Sequence, residues 1–151
     1  MPKTHDLGFL ALTMTSLLLV GCSLTRGKKG FENWNNNIPA NHFKTIATIA
    51  GGTSRTDLRM MVQVRQDLQK AGVNAVASSG RWDTVMEALG QICASGAAQP
   101  VDGVVLVRYD YLVLYDCQSS KPAFEFQGTS EKGLTDMTAR LIKYLTRKPA
   151  A

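Results

Sequence analysis

A run of mostly apolar residues near the N-terminus limits which part of this chain can fold as a domain. Leu7 to Val20 contains only three polar residues, two Thr and one Ser, and Lys3 precedes the run. A helix that crosses a membrane needs about 20 apolar residues, so this run is too short to span one comfortably. A positive start, a short apolar core and a small residue after it are typical of a secretory signal peptide. We therefore predict that residues 1–21 are removed on export.

The apolar run ends in Leu19, Val20, Gly21 and Cys22. This motif resembles the lipobox of bacterial lipoproteins, in which the first three residues are recognised by the signal peptidase and the Cys becomes the lipidated first residue. The resemblance implies that Cys22 carries a diacylglycerol and an N-acyl chain, and two or three acyl chains hold a small protein stably. Ser23 in place of Asp implies sorting to the outer membrane, facing the periplasm. The alternative is a buried N-terminal helix that carries an ordinary thiol.

Composition restricts the expected partners. The chain has 151 residues and a net charge of +5, and its mature part suits one domain with a tether. A basic chain can bind nucleic acid, but export argues against that partner here. We expect contact with the membrane through the lipid on Cys22 and with an envelope protein, and we expect no nucleic acid, no metal and no cofactor.

The sequence predicts four segments. Residues 1–21 are the signal peptide, 22–41 the acylated Cys with a flexible tether, 42–147 an α/β domain and 148–151 a tail. The tether is rich in Gly and Asn and shows no apolar period. Its aromatic residues, Phe31 and Trp34, either dock back on the domain or lie near the lipid.

Hydrophobic periodicity predicts the order β-α-β-α-β-β-β-α for the domain. The predicted strands are 43–50, 73–77, 103–109, 111–117 and 123–127. The predicted helices carry apolar stripes over 58–71, 85–93 and 134–145, and Gly72 is placed just after the first of them. Helical crossovers should make the first three strands parallel. The last two should form an antiparallel hairpin, giving a mixed sheet covered by helices.

Two segments carry a further resemblance. V-D-G-V-V-L-V at 101–107 precedes a long strand, and L-Y-D-C-Q-S-S-K-P at 114–122 is followed by a Gly and a closing helix. Residues 43–146 are similar to the small anticodon-binding-like α/β domain of periplasmic lipoproteins, which include outer-membrane activators of cell-wall synthases and curli-secretion-type lipoproteins. The resemblance implies a non-enzymatic role and brings no catalytic residue with it.

A candidate binding surface follows from this topology, because ligands bind beyond the carboxyl ends of parallel strands. Arginine binds carboxylate or phosphate, and aromatic residues are favoured in interfaces. The residues that the predicted order brings to this edge are Arg55, Arg81, Trp82, Arg108 and Tyr109. The alternative is a set of solvated loop ends, with Trp82 folded over the second helix.

The remaining cysteines, Cys93 and Cys117, do not have metal-site spacing, and His42 is the only mature histidine. The predicted order brings the two cysteines near each other, so a disulfide and two separate thiols both remain open. The chain has no G-x-S-x-G elbow, and we expect no catalytic residues and no enzyme activity. The predicted function is an assembly or activator factor. The alternative is a module that binds a small ligand or a cell-wall polymer, with an anion at Gly51 to Arg55.

Overall fold

A computed structural model describes residues 31–78, 80, 82–94, 99–128 and 131–147. The lipobox with Cys22, the first part of the tether, Arg81 and the predicted tail lie outside the described residues. The described strands are β1 (Phe31–Trp34), β2 (Thr45–Ala50), β3 (Asn74–Ala77), β4 (Gly103–Arg108), β5 (Tyr111–Asp116) and β6 (Pro122–Gln127). The helices are α1 (Arg55–Lys70), α2 (Val85–Ile92) and α3 (Glu131–Leu145), with a 3₁₀ turn at Ala40–His42.

The six strands form one mixed sheet in the order β1-β6-β5-β4-β2-β3. β2 lies between β3 and β4 and is parallel to both, while β4, β5, β6 and β1 pair antiparallel in succession. The predicted mixed α/β class with three helices is confirmed. The predicted order is wrong in detail because it lacks β1. In the structure β1 pairs with β6, so β6 lies between β1 and β5 and does not form the edge of the sheet.

The missing strand corrects the predicted tether of 22–41. Glu32 and Trp34 lie on the face that α3 covers, and the ring of Trp34 packs edge-on against Tyr144 at 5.5 Å. The Glu32 carboxylate accepts hydrogen bonds from the Trp34 indole and from Arg140. The guanidinium of Arg147 lies 5.3 Å from the centre of the Trp34 ring. Residues 31–41 therefore belong to the domain.

Two apolar layers hold the helices on the sheet. α1 and α3 share one face, where the core includes Val64, Leu68, Leu141 and Tyr144. α2 covers part of the other face with Ala88, Leu89 and Ile92, packed on residues of β2 and β4. This helix–sheet–helix arrangement buries strand β4 on both faces, which explains its continuous apolar sequence.

Of the apolar stripe predicted for α1, Leu68 faces the core as predicted and Leu58 does not. Met60, Val64 and Leu68 are buried, at a spacing of four residues, whereas Leu58 is exposed. The helix carries two overlapping apolar stripes, and only packing against α3 and the sheet decides which of them faces the core. The second stripe, which includes Leu58 and Val62, remains at the surface.

Side-chain caps determine where the helices begin. Ser54 caps α1, and Thr84 caps α2 by accepting a hydrogen bond from the N–H of Glu87 at 3.1 Å. Glu87 returns a bond to the N–H of Asp83 at 3.0 Å, which completes a capping box. α2 therefore begins at Val85, the first residue of its predicted apolar stripe. Gly72 adopts a φ of 82° just after α1, as the C′ position requires.

Candidate binding edge

Topology places six strand ends at one edge of the sheet. β2, β3 and β4 finish there, as does β6, which is parallel to β4 because both pair antiparallel with β5. β5 and β1 run the opposite way and start there. We call this the carboxyl edge. It contains Phe31, the loop 51–54 with the first turn of α1, the described residues before α2 (78, 80 and 82–84) with the first turn of that helix, and the hairpin 108–111.

The carboxylate of Asp57 joins the loop between β2 and α1 to the neighbouring β4–β5 hairpin. The Ser54 hydroxyl accepts from the N–H of Asp57 at 3.0 Å and donates to Asp57 Oδ2 at 2.7 Å. The N–H of Tyr109 donates to Asp57 Oδ1 at 3.2 Å, which ties the β4–β5 hairpin to α1. A Cβ on Gly52 would lie 2.4 Å from Asp57 Oδ2. The carboxylate thus occupies the helix N-terminus, where an external anion would otherwise bind.

Trp82 is a packing residue on the side of α2. Its indole N–H donates to Gln91 Oε1 at 3.0 Å, and its ring lies against Gly80, where a Cβ would come within 2.3 Å of the ring. The ring also contacts the apolar layer under α2. This is the arrangement that the sequence analysis gave as the alternative for Trp82.

The other described members of the predicted site remain at the surface. The aliphatic stem of Arg108 passes over Gly51, where a Cβ would lie 2.3 Å from Arg108 Cγ. Tyr109 and Arg55 are exposed, at the tip of the hairpin and at the start of α1. The structure therefore brings Arg108 and Tyr109 to the N-terminus of α1 beside Arg55, places Trp82 apart from them, and does not describe Arg81.

The sequence analysis missed Phe31 as a member of this edge. Phe31 stands opposite Gln127 in the β1–β6 pair, at the same end of the sheet as Arg108. The signal that could have revealed it is the alternation in F-E-N-W. Glu32 and Trp34 face α3, and Phe31 and Asn33 point to the other side of the strand.

At the opposite edge of the sheet, Cys93 and Cys117 form a disulfide, with Cα atoms 5.2 Å apart. Cys93 caps the C-terminus of α2, and Cys117 follows β5 directly. The bond joins α2 covalently to the sheet beside the apolar layer that contains both residues. This settles the choice that cysteine spacing left open.

A polar network at this opposite edge surrounds the buried carboxylate of Asp116. Its Oδ1 lies 2.9 Å from His42 Nε2, and its Oδ2 accepts from the N–H and the hydroxyl of Ser119 at 2.8 and 2.5 Å. Burial raises the pKa of Asp116, but the hydrogen bonds from Ser119, Gln118 and His42 together outweigh it, and the pKa is lowered. These hydrogen bonds connect the 3₁₀ turn at Ala40–His42 to the turn between β5 and β6. Ser119 binds Asp116 rather than His42, which is not the geometry of an activated nucleophile.

Beside α2, two tyrosines lie on the second face of the sheet. The Tyr111 hydroxyl donates to Glu125 Oε1 at 3.2 Å. Burial, and then the neighbouring Tyr115 and Glu125, raise the pKa of Tyr111 well above its ordinary value. Burial likewise raises the pKa of Tyr115. Both phenols therefore stay protonated at neutral pH and act as packing and hydrogen-bonding groups.

Among the described residues, no three His, Cys, Asp or Glu side chains are grouped so that they could hold a metal ion. Within the same part of the chain, no helix has the length and apolar character needed to cross a membrane.

The fold and the site together describe a small mixed α/β domain with exposed arginine and aromatic side chains at one sheet edge. No protein-family model matches the chain, and no curated protein matches it. Its architecture is similar to part of a histidyl-tRNA synthetase from Nostoc sp. PCC 7120, with a TM-score of 0.44 and 15% identity over 68% of this chain and 22% of the synthetase. A PelC dodecamer structure from Paraburkholderia phytofirmans gives a TM-score of 0.44 and 13% identity over 78% of this chain and 93% of the PelC chain.

Prolyl-tRNA synthetase from Cryptosporidium parvum, in complex with L-proline and AMP, gives a TM-score of 0.39 and 15% identity. That match covers 67% of this chain and 23% of the synthetase, so the chain spans less than a quarter of either synthetase. The two synthetase structures and the PelC structure are each similar to this chain over part of its length. With TM-scores below 0.5, they carry no argument about function.

Proposed function

We propose that this chain is an exported lipoprotein, held at the periplasmic side of the outer membrane by lipid on Cys22. It acts as a non-enzymatic binding factor in the assembly or activation of an envelope component. The observation that carries the proposal is the Cys93–Cys117 disulfide. Disulfides persist in oxidising compartments, which exported proteins reach. The chain has three cysteines, and the bond uses two of them, so the one left for acylation is the lipobox Cys22.

Binding, rather than catalysis, suits the geometry of the polar groups. Asp57 is engaged in the cap of α1, and Asp116 is buried between His42 and Ser119. The residues left accessible at the carboxyl edge, Arg55 and Tyr109 among them, are of types that make contacts in interfaces. We propose this edge as the surface through which the domain contacts another component of the envelope.

The alternative function, a module for a small anionic ligand at Gly51 to Arg55, has less support. Asp57 places a negative charge within hydrogen-bonding distance of Ser54, at the position where an anion would sit. A thermal-shift screen with cell-wall fragments and inorganic anions separates the two functions. A binding factor of the proposed kind shows no shift. A shift that disappears in Ser54→Ala would favour the alternative.

The proposed anchoring is tested by intact-mass analysis of the full chain expressed in a Gram-negative host. We expect the membrane fraction to contain a polypeptide that starts at Cys22 and carries the added mass of the acyl chains. Cys22→Ser should retain residues 1–21 and carry no lipid, while Cys93→Ala is a control that should be acylated normally. Wild-type protein recovered with its signal segment and without lipid would contradict the proposal.

A further inference from the structure

The large apolar side chains that remain exposed among the described residues all lie at one end of the domain. Phe31 is 55% exposed, Leu58 47%, Met86 64% and Tyr109 49%. Phe31 starts β1, and Tyr109 is in the β4–β5 hairpin. Leu58 and Met86 fall in the first turns of α1 and α2, within about 5 Å of the helix starts at 1.5 Å per residue. All four therefore belong to the carboxyl edge.

The tether reaches the domain at this same edge, because β1 begins there. Nine residue steps separate Cys22 from Phe31, so the extended tether reaches about 30 Å from the acylated residue. β5 has six residues, and its length along the sheet is about 20 Å. If the carboxyl edge faced away from the membrane, the tether would have to run along the whole sheet and would use most of its reach. If the carboxyl edge faces the membrane, the tether does not have to pass the sheet.

The opposite edge has a different character. It holds the disulfide, the buried Asp116 and the Asp102 carboxylate, which accepts from the N–H groups of Lys44 and Thr45 at 2.9 and 2.8 Å. In the described chain, no large apolar side chain is exposed there. The two ends of the domain are thus distinct. One is cross-linked and polar, and the other carries exposed apolar side chains.

Charge at the carboxyl edge is mixed, so the apolar residues determine what it fits. Of the carboxylates at this edge, that of Asp57 accepts from the Ser54 hydroxyl and from the N–H of Tyr109, and that of Glu87 accepts from the N–H of Asp83. The tether adds three basic residues within nine positions, each worth about 1 kcal/mol near an anionic lipid surface. Among the side chains that the structure describes, the remaining charges at the edge are those of Arg55, Arg59, Arg108, Asp83 and Asp110. Aromatic and apolar side chains distributed around one end of a domain, among arginines, suit the interface of a bilayer.

We infer that the carboxyl edge rests on the lipid surface in which Cys22 is anchored, with Phe31, Met86 and Tyr109 in the headgroup layer. This rests on the proposed anchoring, and it identifies the envelope component that the edge contacts as lipid rather than protein. The domain is then held in one orientation, and its cross-linked edge with His42 and the β5–β6 turn points into the periplasm.

Spin labelling of the full acylated chain tests the orientation. Acylation blocks Cys22 and the disulfide blocks the other two cysteines, so Tyr109→Cys or Lys121→Cys provides one free thiol for a nitroxide. Lys121 is exposed at the opposite edge and serves as the matched position. The protein is reconstituted in vesicles of phosphatidylethanolamine and phosphatidylglycerol. Collision rates of the nitroxide with oxygen and with a water-soluble nickel chelate report its depth.

We expect the label at position 109 to be shielded from the nickel chelate and reached by oxygen, and the label at 121 to be fully accessible to nickel. Phe31→Ser should lower the ratio of membrane-docked to undocked domains about fivefold. The substitution removes an aromatic ring, about half of whose surface would be buried in the headgroup layer only when the domain is docked. Met86→Ser should act in the same direction without touching β1. Lys70→Ser, exposed at the far end of α1, should have no effect.

Equal nickel access at 109 and 121 in protein that mass analysis shows to be acylated would overturn the docking and leave the anchoring intact. Shielding at 109 only in native membranes, and not in pure lipid, would assign the edge to a protein partner and overturn the inference. Failure of acylation itself would contradict the proposed function and is detected before any label is read.

Discussion

Breaking the bond between Cys93 and Cys117 should destabilise the domain by an amount that follows from the chain it closes. The sequence separation is 24 residues. For a closed loop of this length, the loop-entropy relation gives a loss of about 3.5 kcal/mol at 25 °C. In a domain of this size each kcal/mol lowers the melting temperature by about 4 °C, so the Tm should fall by roughly 10–15 °C. The bond joins α2 to the end of β5, and α2 should therefore lose protection first.

The assay compares the oxidised chain with the double variant Cys93→Ala/Cys117→Ala by calorimetry and by urea unfolding. Alanine is preferred to serine because both residues adjoin the apolar layer under α2. A reductant should lower the Tm of the wild-type chain to near that of the double variant and should leave the double variant unchanged. A loss below about 1 kcal/mol would refute the reasoning, since the loop entropy would then have been offset in the native state.

Three further predictions concern single side chains. Because the pKa of Asp116 is lowered in the folded state, its ionised carboxylate stabilises the fold at pH values above about 4, the ordinary pKa of a carboxyl group. This stabilisation is lost as the pH falls through the lower pKa of the folded state. Asp116→Asn should abolish that part of the pH dependence of the Tm. Tyr144→Phe removes the buried hydrogen bond to the carbonyl of Ile38 at 3.0 Å and should cost about 1–2 kcal/mol in urea unfolding. Gly103→Ala should cost about 1–3 kcal/mol, because its Cβ would lie 2.8 Å from a core ring, whereas Gly90→Ala, with no atom within 4 Å of its Cβ, should stabilise α2 by about 0.5–1 kcal/mol.

The strand directions decide which residues lie at each end of the sheet. The predicted order already brought Arg108 and Tyr109 to the carboxyl ends of the parallel strands, and both lie there. Trp82 could not be assigned in the same way, because its exposure depends on whether Gln91 lies close enough to bind its indole. Trp82 lies in the loop before α2 and Gln91 lies in the last turn of α2, and no periodicity in the sequence predicts this contact.

β1 shows why some elements escape local prediction. Phe31 and Trp34 favour strands, but the charged and the amide residue between them do not, so the four residues give only a weak strand signal. Their conformation is set by pairing with β6 and by the contacts of Glu32 and Trp34 with α3, more than 100 residues further along the chain. A strand held by distant partners leaves only a weak alternation in its own sequence.

The sequence alone determines the features that depend on neighbours along the chain. These are the apolar run 7–20 and the L-V-G-C motif on which export and lipidation are predicted, the buried strand β4, and the turn glycine after α1, because apolar periodicity and backbone preference act locally. The tertiary structure decides which stripe of α1 is buried, that β1 joins the sheet, that Cys93 meets Cys117, and that four apolar side chains remain exposed at one edge. Each of these depends on which surfaces are left uncovered once the whole chain has packed, and that is a property of the assembled layers rather than of any segment.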